Sequence, residues 1–340
     1  MIARGRSTYQ GFAATIKLVG TGARGSRNLG FDEARAAMAD LLAGRASDAQ
    51  AGAFLMAMRL KGEAPEELAG FAQALRDASD ELEADTGGRP VVACGGAYDG
   101  VAAAPHLSVA AAATAAARGA AVVMHCGGTL GPKRGVTQGD VLATLGGPAQ
   151  PTGQQSAAML ERSGVALVYT PAVTAGWERL RPLRDQIGVR GPLHAAERLQ
   201  GFFGARRFLI GFTHSPYPER ILGALSALGA QRSVAVRGIE GSDVARPGRP
   251  TAIADDGPLE LPEELGHRVP AEGGPEASAT ATRAVLAGEL NGPVEQAVAL
   301  SAGLRLYAAG LEEDPRAATE RGRAALRDGS AAAALDALLG

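Results

Sequence analysis

The stretch that decides the fold begins Pro90-Val91-Val92-Ala93-Cys94 and runs straight into Gly95-Gly96-Ala97-Tyr98-Asp99-Gly100. An Ala-rich segment follows, then Ala121-Val122-Val123-Met124 and a second loop, His125-Cys126-Gly127-Gly128-Thr129. Asp140-Val141-Leu142-Ala143-Thr144-Leu145-Gly146 closes the unit. The pattern predicts strand, Gly loop, helix, strand, Gly loop, helix. Apolar runs of four or five residues with no polar alternation suit parallel strands buried on both faces. Glycine at a strand end lets backbone amides approach an anion. In such a fold a ligand sits at the carboxyl ends of the strands.

Working outward, 340 residues allow one large α/β unit and a smaller domain. Hydrophobic residues make up 46% of the chain and aromatics only 4%, so the core is built largely of small side chains and tight helix packing is expected. The Ala-rich run at 107–125 carries Arg118 and is too weakly apolar for a membrane helix. The N-terminus lacks the apolar segment of a secretory signal. Two cysteines, Cys94 and Cys126, suit a reduced cytoplasm and are too few for a structural zinc site. We read them as small apolar fillers at adjacent strand ends.

Charge is uneven. Residues 1–31 carry Arg4, Arg6, Lys17, Arg24 and Arg27 and no acid. Residues 171–207 carry seven arginines against Glu178, Asp185 and Glu197, while 254–295 are strongly acidic. Such asymmetry suits a polyanion surface or simply solvated faces.

Before the deciding stretch, three helices are expected. Asp32 caps one that ends at Gly44, and Ser47 or Asp48 caps the next, which carries Phe54, Leu55 and Met58. Pro65 starts the third, with a buried stripe running to Leu82. Residues 1–87 thus read as a helical domain, joined by 174–203, and 88–340 as the α/β domain. Further strands are expected at 166–169, 207–211 and 233–236, with short ones near 251–254 and 259–261. Residues 193–203 read as helical. Three helices follow at 279–287, 294–309 and 315–326, and an Ala-rich turn closes the chain.

This order of elements resembles the anthranilate phosphoribosyltransferase family, which shares its fold with the pyrimidine nucleoside phosphorylases. Ala57-Met58-Arg59-Leu60-Lys61-Gly62-Glu63, Gly164-Val165, Arg184 with Gly188-Val189-Arg190, and Gly238-Ile239-Glu240-Gly241 carry the likeness. The resemblance implies a small all-α N-terminal domain plus a larger, mostly parallel sheet flanked by helices. In active members the first loop reads G-T-G-G-D-G and holds the pyrophosphate of phosphoribosyl pyrophosphate. Here Gly95, Asp99 and Gly100 persist, but Ala97 and Tyr98 replace glycines. The family's N-x-S-T is His106-Leu107-Ser108-Val109, its K-H-G-N-R is Met124-His125-Cys126-Gly127-Gly128, and its D-E magnesium pair is Asp243-Val244. Losing one charged donor costs on the order of 2–4 kcal/mol of transition-state stabilisation, so losing several argues against the ancestral transfer.

The departures resemble the YbiB-like branch of the family, through Ala97-Tyr98-Asp99-Gly100, Arg27-Asn28-Leu29, Arg59-Leu60-Lys61-Gly62-Glu63 and His214 to Tyr217. That resemblance implies a cytoplasmic homodimer, joined through the N-terminal helices, that binds DNA and RNA with little sequence preference. It also implies no cofactor. Arg24, Arg27, Arg59, Lys61, Arg179, Arg181, Arg184 and Arg190 are the candidate phosphate contacts. Arg184 matches the arginine that holds the aromatic acid in active members, and is equally open to a structural ion pair. Tyr98 either stacks on a base or plugs the phosphate pocket. His125 reads as a hydrogen-bonded loop-end histidine and Trp177 as packing. The alternative is a working phosphoribosyltransferase resting on Gly95, Asp99, Ser108, Arg184 and Asp243, with Mg2+ at Asp243. A third reading is a purely structural dimeric partner.

Overall fold

The computed structural model describes residues 9–22, 24–262 and 269–340. Arg4, Arg6, Glu263, Glu264 and Arg268 lie outside the described residues.

Four helices come first: α1 (Phe12–Gly20), α2 (Phe31–Leu42), α3 (Asp48–Lys61) and α4 (Pro65–Asp77). Asp32 is not the cap of α2. It lies in the first turn, and the Gly30 N–H at the N-cap is bonded by the Glu33 carboxylate at 3.0 Å. Ser47 caps α3, its Oγ accepting from the Gln50 N–H. Helix α4 stops at Asp77, short of the expected Leu82, as Ser79 bridges to Thr174 and the Asp80 N–H bonds the Val173 carbonyl oxygen.

The α/β part follows as β1 (Val91–Gly95), α5 (Ser108–Ala116), β2 (Ala121–Cys126), α6 (Gln138–Leu145), α7 (Gly153–Ser163) and β3 (Val165–Tyr169). Then come α8 (Thr170–Val173), α9 (Leu180–Ile187), α10 (Pro192–Ala196), β4 (Arg207–Phe212), α11 (Tyr217–Ala227) and β5 (Arg232–Arg237). Strands β6 (Ala252–Ala254) and β7 (Gly257–Pro258) precede α12 (Pro275–Leu286), α13 (Pro293–Ala309), α14 (Pro315–Arg327) and α15 (Ser330–Leu339). The expected helix at 193–203 is only the short α10 followed by two 3-10 turns. The second edge strand lies at Gly257–Pro258 rather than 259–261. The closing Ala-rich turn is a full helix, α15.

The sheet order is β3-β2-β1-β4-β5-β6-β7, parallel through β5 and antiparallel at the β6 and β7 edge. Alternate residues of each strand enter different cores. Val92, Cys94, Val122, Met124, Leu209 and Val234 pack with α5, α13 and α15. Ala93, Phe208, Ile210 and Ala235 pack with α4 and α11. Every residue of α5 is buried, which its run of alanines permits. Trp177, Leu180, Leu183 and Leu193 join one cluster with α1 to α4. No described helix is long and apolar enough to cross a membrane.

Helices α2 and α4 cross at Gly70, where a Cβ would meet the Phe31 carbonyl oxygen at 2.4 Å and the Arg35 nitrogen at 2.9 Å. Gly52 of α3 has nothing within 4 Å. Gly70→Ala is expected to lower stability by about 1–3 kcal/mol through overpacking. Gly52→Ala is expected to raise it by about 0.5–1 kcal/mol. Urea denaturation of the two variants checks this, and equal midpoints would contradict the described crossing.

Candidate functional site

The first Gly loop follows β1 and faces the carboxyl ends of the parallel strands, yet its glycines meet protein rather than open space. A Cβ at Gly95 would stand 2.2 Å from the Arg198 carbonyl oxygen, and one at Gly100 would stand 2.3 Å from the Gly135 carbonyl. One at Gly96 would stand 3.2 Å from Asp243 Oδ1 and 3.3 Å from Gln138 Nε2. The Asp99 carbonyl accepts from the Gly135 N–H, and Val101 and Val136 exchange backbone bonds. The loop is thus closed by its own chain.

Tyr98 is 1% exposed. Its hydroxyl shares a 2.5 Å hydrogen bond with His125 Nδ1 and lies 2.9 Å from Thr170 Oγ1. Its ring sits 5.4 Å from that of His125 and packs in the cluster holding Leu130 and Trp177. The geometry is that of a plug, not of an exposed stacking platform. Burial pushes the Tyr98 hydroxyl well up, and burial pushes the His125 imidazole down to about 4. Both groups are therefore neutral at pH 7. His106 is likewise buried and pushed by burial to about 4. Cys94 and Cys126 are free and buried, and burial raises both thiols, Cys94 to about 12.

The charged residues of this region are paired inside the protein. Asp99 takes a two-pronged bond from Arg190, at 2.7 and 2.9 Å. Ser108 Oγ donates to one oxygen of the Asp243 carboxylate, and the fully buried Arg305 of α13 holds the other. Arg184 is buried and bonded to the buried Glu197 carboxylate. An internal acid thus stands where the resemblance puts a ligand's carboxylate. The Arg184 and Arg181 guanidinium groups lie 5.2 and 5.1 Å from the Trp177 ring centroid.

These partners bear on magnesium. Both oxygens of Asp243 are engaged, its neighbour is Val244, and a guanidinium stands against the carboxylate. No described group of three or more His, Cys, Asp or Glu is placed to hold a metal ion. The residues at Asp243 do not fit Mg2+.

The expected nucleic-acid contacts do not form one line of free charge. Arg27 pairs with Glu33, Lys61 with the buried Glu67, and Arg181 with Glu178. Arg184 and Arg190 are taken by Glu197 and Asp99. Arg179 lies over the backbone of Gly44, and Arg24 is exposed on a turn. Arg59 donates to the carbonyl oxygen of Arg190.

Arg59 and Arg190 do meet, at the rim of a cleft of about 740 Å³ between the end of α3, α10 and the carboxyl end of β4. Its wall also carries Glu63, His194, Arg198, Phe212, His214 and Tyr217. Sequence reasoning missed Arg198, which donates to the Gly211 carbonyl oxygen at 2.8 Å and has no carboxylate partner among the described residues. Burial, reinforced by Arg190, pushes its guanidinium down. It also missed Glu197 and Arg305. Arg305 gave a signal, a single charge in the otherwise uncharged run from Ala297 to Ala309 of α13, which predicts a buried partner.

Replacing Arg184 by Met leaves the Glu197 carboxylate buried alone, a loss of about 3–5 kcal/mol. Burial already holds the Glu197 carboxyl above its ordinary range against the pull of Arg184, and it rises further without that arginine. A carboxyl raised in the folded state stabilises below its unfolded pKa and loses that contribution as pH rises through the folded one. The deficit of Arg184→Met in urea denaturation is therefore expected to be largest at neutral pH, to shrink as pH falls through the raised Glu197 pKa, and to reach its minimum by about pH 4.3. A deficit independent of pH would contradict the pairing.

Comparison with known proteins agrees with this layout. The helical-bundle domain of the glycosyl transferase family matches residues 15–79, and the α/β domain of the same family matches residues 91–332. The chain is 32% identical to an anthranilate phosphoribosyltransferase of Thermus thermophilus over 310 residues, covering 88% of this chain and 92% of the relative. It is 31% identical to the enzyme of that name from Methylobacterium nodulans, over 96% of this chain and 98% of the relative. A crystal structure of the Thermus thermophilus enzyme superposes with a TM-score of 0.78 at 29% identity, over 92% of this chain and 95% of that one. An anthranilate phosphoribosyltransferase from Saccharomyces cerevisiae, in complex with PRPP and Mg, shares the fold at 17% identity and a TM-score of 0.77, over 96% of each chain. With both of its parts matched in order and relatives above 30% identity along most of its length, this chain belongs to the glycosyl transferase family that includes the anthranilate phosphoribosyltransferases.

Proposed function

We propose that this family member binds a phosphate-bearing ligand of the sugar-phosphate class in the cleft between α3, α10 and β4. Anthranilate-type acids are not its acceptors in this reading. One observation carries it. Arg59 and Arg198 reach the cleft with only backbone carbonyls as partners, while the arginine matching the family's acceptor site is already neutralised by Glu197. The Arg198 guanidinium is partly buried without an anion, which is unfavourable, so a ligand anion is what the cleft lacks. Phe212, Tyr217 and Ile221 offer an apolar wall for the rest of such a ligand.

A second reading, phosphoribosyl transfer to anthranilate as in the named relatives, is favoured by identity above 30% along most of the chain. It requires magnesium and a free acceptor arginine, and the residues at Asp243 and Arg184 speak against both. Binding of a nucleic-acid backbone draws on the same phosphate chemistry, with a longer ligand crossing the cleft rim.

Calorimetry with phosphoribosyl pyrophosphate, with and without Mg2+, and with a single-stranded oligonucleotide separates these. The expected result is sugar-phosphate binding that does not depend on Mg2+ and weakens about tenfold or more in Arg198→Ala, since a charge-assisted hydrogen bond is lost. No product should form with anthranilate. Mg2+-dependent turnover would establish the second reading. Salt-dependent oligonucleotide binding without sugar-phosphate binding would establish the polymer instead.

A further inference from the structure

A second cleft, of about 860 Å³, lies between the segment leaving α4, helix α7 and the turn that precedes β4. It shares no lining residue with the cleft beside β4. Its charge is one-sided. Asp80, Glu81, Glu83, Asp85 and Glu161 line it against Arg76 alone. All five acids are exposed, and among the described residues none of them is in an ion pair. Two buried polar groups in the same cleft lack partners. Gln200 is 1% exposed, and neither its Oε1 nor its Nε2 is bonded by a described residue. Arg76 donates to the Leu199 carbonyl oxygen at 2.6 Å, but its Nε has no acceptor there. A buried side-chain amide needs both of its ends bonded, so what completes the cleft carries a donor and an acceptor side by side. The segment leaving α4 adds a third feature. Residues 81–86 form no regular element, yet Glu81, Glu83 and Asp85 are exposed while Leu82 and Ala84 pack against the cluster of Val123, Val168 and Phe202. That alternation is the period of a strand. The backbone groups of residues 81–84 bond no described residue, so the segment is an unpaired edge.

We propose that this cleft binds an extended, lysine- or arginine-bearing peptide segment of a partner protein. The peptide backbone pairs with residues 81–84 as an added strand. One of its peptide groups pairs with the Gln200 amide, and one of its carbonyls accepts from Arg76 Nε. Its cationic side chains, repeating every second residue, lie against Glu81, Glu83 and Asp85, which repeat with the same period. Arg76 offsets one carboxylate and leaves the cleft negative. A polyamine or a metal ion would answer the carboxylates but brings no acceptor for Arg76 or Gln200. No described group of three or more His, Cys, Asp or Glu is placed to hold a metal ion. A peptide alone supplies the cations, the donor and the acceptor together.

The probe is an end-blocked hexapeptide of alternating lysine and valine, followed by calorimetry on the full chain. It is expected to bind, and to bind less well as salt rises, because the carboxylates are exposed. The same peptide with glutamate in place of lysine, and spermidine, which carries charge but no peptide group, are expected to bind at least tenfold less well. Glu81→Gln combined with Glu83→Gln changes only exposed side chains and is expected to weaken the lysine peptide about fivefold or more. Gln200→Leu removes the buried amide and is expected to weaken it about tenfold. In the unaltered protein, the backbone amide resonances of Leu82 and Ala84 and the side-chain amide of Gln200 should move with added peptide. No binding of the lysine peptide would overturn the proposal. So would equal binding of spermidine or of the glutamate peptide, an affinity unchanged by the paired glutamine substitutions or by Gln200→Leu, or unmoved resonances at Leu82, Ala84 and Gln200.

Discussion

The buried ion pair between Asp243 and Arg305 is the constraint over which the rest of the site is built. Neither side chain is reached by solvent, so neither charge is tolerable without the other. Arg305 also donates to the Ser301 carbonyl, and Ser108 completes the Asp243 carboxylate. Three elements are fixed to one another by this: the loop after β5, the start of α5 and the middle of α13. A guanidinium here supplies the positive charge that a metal would otherwise bring. Two unit charges of like sign at 4 Å repel by about 4 kcal/mol at an effective dielectric of 20, and a dication beside Arg305 would meet more than that. The Asp243 carboxylate is therefore electrically complete on its own.

The same self-sufficiency recurs around it. Glu197 neutralises Arg184, Asp99 neutralises Arg190, and the Tyr98 hydroxyl and His125 ring satisfy each other as neutral groups. Each pair replaces an interaction that would otherwise need a ligand. The cleft beside β4 differs because its cations outnumber its acids in reach. Glu63 has Arg220 at 3.7 Å and Asp99 has Arg190, which leaves Arg59 and Arg198 on carbonyl oxygens.

The fold was legible because its signals are local. Uninterrupted apolar runs at 91–94, 121–124 and 166–169 suit strands buried on both faces, and strands lie there, the third beginning one residue earlier at Val165. The site was legible in membership but not in meaning. A glycine at a strand end announces close approach by some backbone, and the sequence does not say whose. At Gly95 and Gly100 it is the protein's own, from Arg198 and Gly135. Arginine-rich segments announce positive charge, and whether that charge is free depends on partners brought by the fold. Glu67 reaches Lys61 beside the Asn28 amide, and Asp99 reaches Arg190 across 91 residues. No spacing rule connects such residues. The misplaced helix ends have a simpler cause: alanine-rich segments such as 330–339 have high helix propensity and no periodic stripe to mark their limits.

Tyr98 shows how one side chain can close a site. A glycine at this point leaves a hollow between the first loop, the second loop and α8, and a phenol fills it. The hydroxyl then needs a partner, because an unbonded buried hydroxyl is costly. His125 and Thr170 provide one each. With the ring in place, His125 is held neutral by burial and cannot serve as a cation for phosphate. What remains for ligand recognition is the neighbouring part of the same sheet edge, where β4 ends at Phe212 and the arginines of α3 and the 3-10 turn after α10 still lack acids. In the proposed reading the carboxyl ends of the parallel strands define where a ligand belongs, and the occupied half directs it to the open half.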